Sequence, residues 1–125
     1  MTHKDLIVYK KSQELVGLAY KFIEILPQKE FDLKSQMKKA LYSIPLNIAE
    51  GAGRNSKSQF LYFLNVALGS ITELEAQYQI CLITEMTIPN PELYDKINHV
   101  SRLLVNLIKS LKNPDKQRGA YFYQS

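Results

Sequence analysis

Ser56-Lys57-Ser58-Gln59-Phe60-Leu61-Tyr62-Phe63-Leu64-Asn65-Val66-Ala67-Leu68-Gly69-Ser70-Ile71-Thr72-Glu73-Leu74-Glu75-Ala76-Gln77-Tyr78-Gln79-Ile80-Cys81-Leu82-Ile83-Thr84-Glu85 decides the fold. Within it Phe60, Leu64, Ala67, Ile71, Leu74, Tyr78 and Cys81 recur at alternating steps of four and three. That unbroken seam marks one face of a long helix. Ser56, with Gln59 three residues on, fits a capping box at its start. Run to Glu85, the helix would be about 45 Å long at 1.5 Å per residue. Gly69 inside it costs about 1 kcal/mol relative to alanine; with Ala67, Ser70 and Ala76 nearby, the expected return is close approach of another helix. Leu61, Phe63, Leu68 and Leu82 lie off the seam, so one core does not use all of the helix's apolar surface. We expect those four residues to contact a neighbouring copy of the chain.

Upstream, Leu15, Leu18, Phe22 and Ile25 recur at three and four, giving a helix from about Tyr9 to Leu26, closed by Pro27. Leu6-Ile7-Val8 could be an extended lead-in. A second helix runs from Asp32, read as its N-cap, to Gly53, with Gly51 and Gly53 ending it. Pro45 falls inside this helix and removes the bond to the Leu41 carbonyl, which would cost an isolated helix about 3 kcal/mol. The apolar stripe of Met37, Ala40, Leu41, Ile44 and Ile48 continues past it, which predicts a kink and not a stop. Downstream, Asn90 as N-cap and Pro91 in the first turn open a fourth helix carrying Leu93, Ile97, Val100, Leu104, Leu107 and Leu111. Asn113-Pro114 stops it, and residues 115–125 form a flexible or docked tail.

These spans make roughly three quarters of the chain helical, against a base rate of about one third, and no segment alternates with period two. The expected fold is all-α: one domain over residues 1–114, an antiparallel up-down four-helix bundle with its second helix kinked at Pro45 and a long third helix. Hydrophobic residues make up 46% and charged residues 22%, as in ordinary globular domains. The longest uncharged run, Ser58 to Thr72, is too short and too polar for a membrane span. With a single cysteine and no N-terminal signal pattern, the chain reads as cytoplasmic.

Two constellations carry the functional question. Ser43, Asn47, Glu50 and Arg54 stack on one face of the second helix. They either line a conduit or partner site, or fix helix packing through hydrogen bonds and a Glu50–Arg54 pair. The net charge is +4 and uneven: residues 29–55 carry 5 basic and 3 acidic groups, residues 56–85 carry 1 and 3, and residues 86–125 carry 6 and 3. Lys34, Lys38 and Lys39 on the second helix, Arg54 at its end, and Arg102, Lys109, Lys112 and Lys116 on and after the fourth are candidate phosphate contacts. The bland alternative is a solvated face. Tyr121 and Phe122 could stack on bases or pack on a neighbour. Catalysis has little support. His3 and His99 are isolated, Cys81 lies on the core seam, and Asp95 to His99 lacks a facing motif for a metal site. We expect no cofactor and no metal.

Ser43-Ile44-Pro45-Leu46-Asn47-Ile48-Ala49-Glu50-Gly51-Ala52-Gly53-Arg54, Phe60-Leu61 and Ala67-Leu68-Gly69-Ser70-Ile71-Thr72-Glu73-Leu74-Glu75 resemble the four-helix bundle family of 23S rRNA intervening-sequence proteins. The resemblance runs from Leu6 to about Leu111. It implies small bundles assembled as homopentameric rings, with no established activity for the family at large. A similar protein, the accessory variability protein of diversity-generating retroelements, is basic and binds nucleic acid and a reverse transcriptase. The resemblance therefore implies a non-enzymatic oligomer with an RNA or DNA partner; a ring that grips another polypeptide is the alternative.

Overall fold

The computed structural model describes residues 2–113. A short 3-10 turn, His3–Asp5, leads into α1 (Ile7–Glu24), α2 (Phe31–Ala52), α3 (Lys57–Ile83) and α4 (Pro91–Lys112). The described residues contain no strand. Each helix packs on the next and α1 closes on α4, the α2–α3 pair being the most intimate. With connections of a few residues, this is the antiparallel up-down bundle the spacing predicts. The tail, including Lys116, Tyr121 and Phe122, lies outside the described residues.

The predicted stripes form the core, except that Ile25, which follows the end of α1, is exposed, and Leu18 and Phe60 are only half-buried. Leu64, Ala67, Ile71, Leu74, Tyr78 and Cys81 of α3 are buried, facing Leu15, Ala19, Phe22 and Ile23 of α1, Met37, Leu41, Ile44 and Ile48 of α2, and Leu93, Ile97, Val100, Leu104 and Leu107 of α4. α2 runs unbroken through Pro45. The start of α1 resolves at Ile7, after a single extended residue, Leu6.

Several local expectations need correction. Asp32 is not the N-cap of α2: Glu30 precedes the helix without a side-chain cap, and Asp32 lies in the first turn. Gly53 follows α2 with φ −82°, so no left-handed glycine ends that helix. Gly51 matters for a different reason: a Cβ there would meet the Phe63 Cβ at 2.8 Å and the Phe60 ring at 3.1 Å. Its missing side chain lets the end of α2 touch the start of α3. Gly69, expected to admit a helix, has nothing within 4 Å of an added Cβ and faces outward.

α3 stops at Ile83, two residues short of the expectation. Glu85 adopts φ 58° there. Its N–H donates to the Leu82 carbonyl and the Met86 N–H to the Cys81 carbonyl, both at 3.0 Å. That is a Schellman turn with glutamate where glycine is usual. The N-caps at Ser56 and Asn90 form, Ser56 Oγ accepting from the Gln59 N–H and Asn90 Oδ1 from the Leu93 N–H, each at 3.1 Å, but the Gln59 side chain does not return a bond to complete the capping box.

Candidate nucleic-acid interface

Up-down topology places the α1–α2 and α3–α4 connections at one end of the bundle. The N-terminus of α1, the α2–α3 connection and the end of α4 lie at the other. This sorts the basic residues that the sequence grouped together. Arg54, Lys109 and Lys112 are exposed at the second end, and Arg102 lies exposed two turns above Lys109 on α4. Lys57, which spacing alone did not single out, joins them, because the tight α2–α3 turn sets it beside Arg54. Arg54 and Lys57, with Asn55, Ser56, Phe60, Leu107 and Leu111, line a cleft of about 240 Å³. Pairing with Glu50 and a Cζ 4.9 Å from the Phe63 ring centroid fix the Arg54 guanidinium while leaving it part-exposed.

Lys34 and Lys38 lie at the opposite end and already have partners. Lys34 is buried, contrary to the expectation of a solvated phosphate contact. Its Nζ donates to the Leu26 carbonyl at 3.1 Å and the Glu24 carbonyl at 3.3 Å, capping α1. The ammonium satisfies carbonyls that a helix C-terminus leaves without N–H partners. Lys38 pairs with Glu24 and lies over the Tyr20 ring. Its hydrogen bond with Glu24 pulls the carboxyl down and the ammonium up from their ordinary pKa values. Lys39 stands apart from both groups, lining an outer α2–α3 groove with Gln36, Ser43, Ser70 and Glu73.

The polar row of α2 divides in two. Ser43 Oγ meets Ser70 Oγ of α3 at 2.7 Å, and Asn47 Nδ2 donates to the Ser43 carbonyl and hydroxyl, both at 2.8 Å. The Ser43–Ser70 bond ties α2 to α3 beside Pro45, and the Asn47 bonds hold Ser43 in place within α2. Glu50 and Arg54 pair at the exposed end. A third basic group, outside the expected set, forms between α1 and α4: Glu14 Oε1 accepts from Lys96 at 2.8 Å and Glu14 Oε2 pairs with Lys11 at 3.3 Å. The Lys96 bond holds the Glu14 carboxyl below its usual pKa. His99 sits in the same group, and burial, then the charges of Lys96, Lys11 and Arg102, push its pKa down.

Of the residues expected at a subunit contact, Leu61, Leu68 and Leu82 are half-buried against this chain's own core. Phe63 is half-buried beside Tyr62 and Arg54. The face of α3 open to solvent follows a different line, the uncharged Tyr62, Asn65, Gly69, Thr72, Ala76, Ile80 and Ile83, with exposed Glu73 beside its centre. Cys81 is buried, and burial raises its thiol pKa. No group of three or more His, Cys, Asp or Glu among the described residues could hold a metal ion. No helix among them is long and apolar enough to cross a membrane.

The family of 23S rRNA-intervening sequence proteins matches residues 4–106. The chain belongs to that family. Its fold is shared by a crystal structure from Bacteroides thetaiotaomicron, described as a protein of unknown function from the S23 ribosomal protein family. That structure has a TM-score of 0.74 and 29% identity, covering 82% of this chain and 99% of the other. No curated protein matches the chain. The family assignment carries no catalytic activity with it.

Proposed function

We propose that this member of the intervening-sequence family is a non-enzymatic, self-associating accessory protein that holds RNA or DNA by its phosphates without reading base sequence. The observation that carries this is the gathering of Arg54, Lys57, Lys109 and Lys112, exposed, at one end of the bundle, with Arg102 above them. Exposed cations on a rigid helical frame meet phosphate without reading bases, and nothing there presents a helix or ribbon to a groove. Self-association multiplies a weak patch by symmetry. The uncharged outer line of α3, together with exposed Leu46 and Tyr42 on α2, is the surface suited to the contact between copies. The family resemblance makes a ring of five the expected assembly, and the setting is cytoplasmic.

Titrating the purified protein with mixed structured RNA at two salt concentrations tests the reading. Binding should fall steeply with salt, and Lys109→Gln with Lys112→Gln should reduce the log–log slope by about 2. No binding at low salt, or binding indifferent to salt, overturns it. A light-scattering mass of one chain at micromolar concentration overturns the self-association. A protein-binding ring is the second reading, favoured by the same uncharged α3 face; a pull-down complex that survives nuclease would select it.

A further inference from the structure

The end of the bundle opposite the basic cluster has a contrasting surface. Ile25, Phe31, Ile83 and Ile88 are 77%, 65%, 78% and 81% exposed there. The carboxylates around them are Glu24, Glu30, Asp32, Glu85, Glu92 and Asp95. Lys21 and Lys29 are the exposed cations among them, Lys34 and Lys38 being engaged as described. Exposed aliphatics are common on loops that can fold them away, but this connection is held. Tyr78 Oη accepts from the Asn90 N–H at 2.8 Å and donates to its carbonyl at 3.3 Å. The Schellman turn fixes the other side, and Pro89 and Pro91 stiffen what lies between. Ile88 is thus an aliphatic knob on a rigid corner, flanked in sequence by Glu85 and Glu92.

The other end carries the complement: an apolar floor of Phe60, Leu107 and Leu111 under a rim of Arg54 and Lys57, with Lys109 and Lys112 on the last turn of α4. A volume near 240 Å³ accepts an isoleucine side chain, since a benzene-sized group needs about 150 Å³. We propose that the Ile88 corner of one copy seats in the Arg54–Lys57–Phe60–Leu107–Leu111 cleft of a second copy, with Glu85 and Glu92 facing its cationic rim. The joined surfaces differ, so the contact is head-to-tail and propagates along the bundle axis. It is distinct from side-by-side packing through α3. An occupied cleft also covers Arg54 and Lys57, so nucleic acid and a second copy compete for one end.

Sedimentation velocity on the full chain tests this. The average mass should be at least about twofold larger at low salt than at high salt, because the rim charges are screened. Ile88→Asp should abolish the increment, as should Arg54→Glu with Lys57→Glu. Each variant lacks a different half of the contact, so an equimolar mixture should regain one step, about a doubling of mass. Circular dichroism checks that the variants remain helical; Ile88 is exposed, so its loss leaves the core intact. A wild-type mass unchanged by salt, an Ile88→Asp protein that keeps the low-salt increment, or a mixture no heavier than the separate variants overturns the proposal. The readout contains no RNA, so a protein that fails to bind nucleic acid leaves it unaffected.

Discussion

The two faces of α3 carry nearly the same pattern and have opposite fates. Leu64, Ala67, Ile71, Leu74, Tyr78 and Cys81 recur at three and four, and all are buried. Tyr62, Asn65, Gly69, Thr72, Ala76, Ile80 and Ile83 recur at three and four, are equally uncharged, and are all exposed. Periodicity says that a stretch is helical; it does not say which stripe has a partner within the chain. Only the positions of α1, α2 and α4 decide that. They leave the outer line, with small residues at its centre, free for another molecule.

The sharpest contrast pairs Ile71→Ala with Ala76→Ser. The first empties a fully packed core position and should cost about 2–5 kcal/mol in chemical denaturation. The second should fall within about 0.5 kcal/mol. Equal effects would mean that the outer line is covered after all. Next comes the pair of lysines that sequence placed on one face. Lys34→Met strands the carbonyls of Glu24 and Leu26, and should destabilise by about 1–3 kcal/mol. Lys39→Met, on the exposed side of the same helix, should be near neutral.

The glycines give a third contrast, with opposite signs. Gly51→Ala drives a methyl into Phe63 and should cost about 1–2 kcal/mol, the clash outweighing the gain in helix propensity. Gly69→Ala meets nothing and should stabilise the isolated bundle by about 0.5–1 kcal/mol. If that variant also weakens self-association, the outer line is the contact between copies. A smaller effect tests α3's end: Glu85→Gly should stabilise by about 0.5–1 kcal/mol, relieving a left-handed residue at the Schellman turn.

The smallest effect is protonic. The folded pKa of His99 lies below its ordinary 6.5. The unfolded chain therefore takes up the proton first. The resulting stability is fully present above pH 6.5 and is lost as pH falls through the lower folded value. His99→Gln should flatten the decline in melting temperature between neutral and mildly acidic pH. An unchanged decline would show that neither burial nor the charges of Lys96, Lys11 and Arg102 depress the ring's pKa.

Much of the fold was legible in the residues: four helices, their order, the caps at Ser56 and Asn90, and passage through Pro45. Each is written in local chemistry, either a hydroxyl or amide that can cap or a stripe too long for one proline to end. The candidate site was half legible. Lys109 and Lys112 declare themselves by spacing on one helix, whereas Lys57 gains its role only because the α2–α3 turn brings it to Arg54. Lys34 looked like a surface cation because its partners, two carbonyls at the end of α1, have no side-chain signature.

By itself, then, the sequence determined the rods, their apolar edges and their capped ends, because hydrogen bonding and side-chain periodicity act within a few residues. Which cations share an end, which lysine is buried, which glycine admits a neighbour and which face of α3 stays uncovered were decided only when the four helices packed. Those properties depend on distances between segments tens of residues apart, and no local pattern records them.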